Sequence, residues 1–92
     1  MGRSIRSRPS RLGKKLRKIR VALGLSQSQM VTALDVEREA VYPASISLYE
    51  RGLREPPLAV LLRYAELANT CLDVIADDRQ ALPAKLPATK RH

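Results

Sequence analysis

Residues 16–35, LRKIRVALGLSQSQMVTALD, hold the end of one helix, a sharp turn and the start of a second helix. Leu12, Leu16, Ile19 and Leu23 recur at i, i+4, i+7 and i+11, a single helical stripe. Gly24 follows at once, and glycine is the residue best suited to the left-handed position beyond a helix C-terminus. Ser26 and Gln29 then form an S-x-x-Q capping box, with Leu25 and Met30 placed as a hydrophobic staple across it. The second helix turns Met30, Val31 and Leu34 to one side. So short a connection forces the two helices to pack as neighbours. Asp35 stands where a helix-ending glycine is expected, which leaves the end of the second helix the vaguest boundary.

Outward from this pair the pattern stays helical. Upstream, Ser10 is a candidate N-cap, and residues 1–9, MGRSIRSRP, have too little apolar surface to repay their ordering entropy, which predicts a mobile basic arm. Downstream, VEREAVY at 36–42 reads as an irregular turn. Pro43 suits the first position of a third helix, PASISLYER, and biases Tyr42 toward the extended conformation of an N-cap. Gly52 should end that helix. After LREPP, with Pro57 expected at the first helical position, LAVLLRYAELAN forms a fourth helix and LDVIA a short fifth. From Asp77 on, Pro83, Pro87 and mixed charge predict extended or disordered chain. The expected fold is all-α: a compact five-helix bundle over 10–78, with the arm at 1–9 and an irregular tail at 79–92.

Composition narrows the function. Ninety-two residues build one modest core, here from Leu, Val, Ile and Ala with no Phe or Trp. The single cysteine, Cys71, excludes an internal disulfide and a cysteine-based zinc site. No apolar run approaches the roughly 20 residues needed to span a bilayer, so a cytoplasmic protein without membrane contact is expected. Catalysis is not supported either. The one histidine is His92, no glycine-rich phosphate loop occurs, and the adjacent Asp77 and Asp78 do not share a helical face. No metal and no cofactor are expected. Charge is the strongest compositional signal. Nine of the seventeen Lys and Arg residues lie in the first twenty positions, and no acid precedes Asp35. Residues 35–92 carry eight basic and nine acidic groups, so the whole excess of +8 is segregated at one end. Such a footprint suits a polyanion, nucleic acid before an anionic membrane.

The helix faces carry more. Arg20 flanks the Leu16–Ile19 stripe as Glu50 flanks Ile46–Tyr49, so one cation and one anion occupy matching positions. Spacing alone leaves pairing and escape of each side chain to water about equal. On the other side of the third helix lie Ala44, Ser47, Leu48 and Arg51, mostly short side chains that would let a helix approach a partner closely.

LRKIRVALGLSQSQMVTALD, ISLYERGLREPP, LLRYAELA and CLDVIADD together resemble the helix-turn-helix domain of the Cro and phage-repressor (Xre-like, lambda-repressor-like) family over about residues 12–78. The resemblance implies a double-stranded DNA-binding transcriptional regulator whose second and third helices dock on the duplex, the third in the major groove. It implies an ion pair between Arg20 and Glu50. It assigns Gln27 to a phosphate at the N-terminus of the second helix. Pro43, Ala44, Ser47 and Leu48 match base-reading positions, with Ser45 counted in the same set, and Arg51 and Arg54 match positions near the flanking backbone. Arg6 and Arg8 in the arm are expected to add phosphate or minor-groove contacts. One departure is plain. Twelve positions separate Leu34 from Ile46, where the family pattern has about seven, so about five residues are inserted in the turn.

The fourth helix carries two apolar stripes. Leu58, Leu61, Leu62, Ala65 and Ala68 are expected inside, while Val60, Tyr64 and Leu67 are a candidate dimer surface on the far side. A homodimer on DNA is favoured over burial beneath Leu82 and Leu86 of the tail, because related domains bind two-fold operators. A partner protein such as a toxin is a further expectation of the resemblance. The alternative to DNA regulation is an adaptor that keeps the fold and binds a protein.

Overall fold

The computed structural model describes residues 11–37 and 40–87. Among these residues five helices follow in order: α1 Leu12–Ala22, α2 Gln27–Leu34, α3 Pro43–Glu50, α4 Leu58–Ala68 and α5 Leu72–Ala76. The expected cap Ser10 and the basic arm lie outside the described residues. Arg11 is the N-cap of α1, and its backbone N–H donates to Asp78 Oδ1 at 3.0 Å. A carboxylate from the far end of the chain thus satisfies one of the helix's unpaired N-terminal donors.

The turn between α1 and α2 is built by local chemistry. Gly24 has φ +74°, and the N–H groups of Gly24 and Leu25 donate to the carbonyls of Val21 and Arg20, the crossed pair that ends a helix at a left-handed residue. Ser26 Oγ accepts from the Gln29 N–H at 3.1 Å, and Gln29 Oε1 accepts from the Ser26 N–H at 2.8 Å. At the end of α2, Asp35 adopts φ +50° in place of glycine. Pro43 opens α3 behind an extended Tyr42. Pro57 lies one position further out than expected, as the extended N-cap of α4.

The core joins Leu12, Leu16 and Ile19 of α1, Met30 and Leu34 of α2, Ile46 and Tyr49 of α3, Val60, Tyr64, Ala65 and Ala68 of α4, and Ile75 of α5. Each large aliphatic buried here contributes about 1.5–3 kcal/mol of transfer free energy. The α4 assignment from sequence holds only in part: Ala65 and Ala68 are buried as expected and Leu61 is half-buried. Val60 and Tyr64 are fully buried and Leu67 is half-buried, whereas Leu58 and Leu62 are 61% and 45% exposed. Both stripes are apolar, but on the helical wheel the buried arc runs from Leu67 and Val60 through Tyr64 and Ala68 to Ala65, and Glu66 falls beside Leu62 on the other side, where its charge stays in water. Val60 and Tyr64, fully buried within the protomer, are therefore not free to form the dimer surface expected of them together with Leu67. Leu82 and Leu86 of the tail are half-buried against the core.

Gly13 sets how closely α1 approaches α3. A Cβ there would lie 2.6 Å from the Glu50 carbonyl oxygen and 2.9 Å from that of Tyr49. Alanine gains up to about 1 kcal/mol in helix propensity, but this contact is with backbone and cannot swing aside. Gly13→Ala is expected to lower the thermal midpoint despite the better propensity; a midpoint raised by the substitution would show that α1 can shift on α3 freely.

Candidate nucleic-acid interface

The surface formed by the N-terminus of α2, the outer side of α3 and the segment after it is organised from beneath by one ion pair. Arg20 Nε donates to Glu50 Oε2 at 2.6 Å and Arg20 Nη2 to Glu50 Oε1 at 3.0 Å, a two-pronged contact between side chains only 14% and 5% exposed. Arg20 Nη1 also donates to the Leu25 carbonyl at 2.9 Å. One guanidinium therefore links α1, the α1–α2 turn and α3. The hydrogen bonds that Arg20 donates to the Glu50 carboxylate raise its pKa above its ordinary value. Beneath the pair, burial pushes the Tyr64 phenol well above its ordinary value, and the Glu50 carboxylate adds to that rise.

Gln27, the first residue of α2, is half-buried, and its Nε2 reaches Glu50 Oε1 at 3.5 Å. The pair that holds α3 thus also orients the side chain assigned to a phosphate. Along α3, Pro43 and Ala44 are exposed, Ser47 and Leu48 are half-buried, and Arg51 is exposed as the C-cap. Arg54 is exposed just beyond Gly52 and Leu53. Ser45 departs from its expected role: it is 4% exposed, and its Oγ accepts the Tyr42 N–H at 3.1 Å, capping α3 from inside. Spacing explains this, because Ser45 precedes Ile46 on the core side while Ala44 and Ser47 straddle the outer one. Arg6 and Arg8 lie outside the described residues.

The enlarged connection from Asp35 to Tyr42 leaves α2 and α3 packed together. Its flanks are held by Val36 and Val41, both half-buried against the core. A further clamp escaped the sequence reading. From α4, Arg63 Nε donates to the Leu34 carbonyl at 2.7 Å and Nη2 to the Ala33 carbonyl at 3.1 Å, while Nη1 pairs with Glu66. A cation here satisfies two carbonyls that α2 leaves open and complements the negative end of its dipole. Lys15 does the same for α5. It is 5% exposed, its Nζ donates to the carbonyls of Val74 and Asp77 at 2.7 and 2.8 Å, and burial lowers its pKa. Nothing in the sequence announces either contact beyond a basic residue beside an apolar stripe.

The arrangement offers a small-residue helix face flanked by two exposed guanidinium groups, with Glu50 neutralised and turned away from it. No group of three or more His, Cys, Asp or Glu side chains that could hold a metal ion occurs among the described residues. No helix among them is long and apolar enough to cross a membrane. Neither the curated proteins nor the solved structures contain a match to this sequence. A family model described as helix-turn-helix matches residues 16–74, from the Leu16 turn of α1 into α5 and across the whole α2–α3 unit. With most of its length matched and the three other helices packed around that unit, the chain belongs to the Xre and Cro type helix-turn-helix family.

Proposed function

We propose that the chain binds double-stranded DNA sequence-specifically as a small transcriptional regulator, with α3 in the major groove and the α2 N-terminus on the adjacent phosphates. The observation that carries this reading is the outer side of α3: Ala44 and Ser47, short enough for close approach, end in the exposed Arg51, with Arg54 beyond it. Ala44 and Leu48 suit thymine methyl groups, Ser47 suits a base edge or a phosphate, and the two arginines suit flanking phosphates. Selection from random duplex DNA is expected to enrich one short motif. Recovery of unenriched sequence, with salt-sensitive binding to every duplex, would leave only nonspecific attraction.

The regulator acts on DNA as a homodimer through the outward edge of α4. Leu58 and Leu62 are exposed there with Leu61 half-buried beside them, an apolar strip flanked by open grooves at both ends of the helix. Leu62→Glu places a charge in that strip at an already exposed position. It is expected to leave the thermal midpoint nearly unchanged and to convert two-protomer complexes on the selected duplex to one-protomer complexes by sedimentation. A wild-type protein that occupies the duplex as a single protomer would overturn the dimer.

A further inference from the structure

α1 presents four sides, and three have partners. Leu12, Leu16 and Ile19 enter the core, Gly13 and Arg20 face α3, and Lys15 reaches the end of α5. The fourth side carries Lys14, Arg17, Lys18 and Val21, all exposed. The three cations make no ion pair with any described residue, and the sequence before Asp35 supplies no acid to them. Val21 is 57% exposed. With Ala22 it forms the apolar part of a groove of about 370 Å³ whose other walls are those three cations. Lys14 and Lys18 also border a second groove, of about 170 Å³, closed on its far side by Ala81 and Leu82 of the tail.

This side is costly to the isolated chain in two ways. Lys14 repels Arg17 and Lys18 at i,i+3 and i,i+4, and cations near the start of a helix oppose its dipole. Val21 is β-branched, gains nothing in helix propensity and is not buried. A ligand that brings negative charge and an apolar group together would relieve both. Phosphate chains meet only the first requirement, since they need neither a groove nor Val21.

We propose that the outer side of α1 is a docking surface for an acidic amphipathic segment of a partner protein, its carboxylates on Lys14, Arg17 and Lys18 and an apolar side chain in the groove over Val21 and Ala22. The surface is separate from the α2–α3 face, so it can be occupied while that face engages DNA.

The test titrates the full chain with a fluorescent synthetic helical peptide bearing Glu and Leu on one face. The comparison probes are the same peptide with Leu replaced by Ser, and inorganic polyphosphate. The Leu peptide is expected to bind at least about tenfold more tightly than the Ser peptide, and Val21→Ser to erase that preference. A double variant, Lys14→Glu with Lys18→Glu, is expected to weaken the Leu peptide about tenfold or more, while affinity for duplex DNA changes less than about threefold. Arg17→Gln gives a milder version should the double variant fold poorly. Equal binding of the Leu and Ser peptides, or binding of polyphosphate as tight as the Leu peptide, would overturn the proposal. So would parallel loss of DNA and peptide affinity, which would assign the surface to nucleic acid. Peptide binding is read without DNA, so a protein that ignored DNA would not by itself decide this test.

Discussion

Glu50→Ala is expected to cost about 3–5 kcal/mol of folding stability, the range for removing one partner of a buried, hydrogen-bonded ion pair. Glu50 is 5% exposed at its side chain and receives two hydrogen bonds from Arg20. Without it the guanidinium keeps its bond to the Leu25 carbonyl but faces a desolvated gap between α1 and α3. Arg20 is 14% exposed at its side chain and can lean toward water, which places the expected loss toward the lower bound. At about 4–8 °C per kcal/mol for a domain of this size, the thermal midpoint should fall by roughly 12 °C or more. A protein that melts within a few degrees of wild type would show that the pair contributes little. The double replacement of Arg20 and Glu50 by methionine separates stability from positioning. It removes both charges at similar volume, so stability should largely return. Gln27, which reaches Glu50 Oε1, would still lose its orienting partner, and DNA affinity should stay reduced.

Much of the fold was legible because its punctuation is local. The Ser26–Gln29 capping box, the left-handed Gly24 and Gly52, and Pro43 at the start of α3 act through backbone groups within a few residues. Sequence spacing encodes such contacts directly. The α4 orientation was legible only in part, since two apolar stripes satisfied the same period: Ala65 and Ala68 lie inside as expected, but the buried arc turns toward Val60 and Tyr64 and leaves Leu58 and Leu62 outside beside Glu66. Ser45 illustrates a similar limit at the site. A serine one step from the outer side of α3 is chemically suited to DNA, yet its hydroxyl is used on the Tyr42 N–H. Arg63 and Lys15 lie furthest from sequence reasoning. Their roles depend on carbonyls brought to them from positions 29 and 59 or more residues away.

Arg51→Ala with Arg54→Ala should produce the largest loss of DNA affinity among surface substitutions, and the loss should have a specific salt signature. Both side chains are exposed at the C-terminal end of α3 and just beyond it, where they would meet phosphates on either side of the groove that α3 enters. Each phosphate contact to duplex DNA lowers the slope of log K against log salt by about 0.9. Two lost contacts should therefore make the slope shallower by about 2. The same relation fixes the size of the effect: near 0.1 M salt the affinity falls roughly 50- to 100-fold, and the difference from wild type shrinks toward nothing near 1 M. Neither residue belongs to the core, so the thermal midpoint should hold. Relative preference among duplex sequences should hold too, because phosphates position the protein without specifying bases. An unchanged slope with reduced affinity would mean that the arginines act on bases or on the geometry of α3. Unchanged affinity and slope together would remove them from the DNA interface.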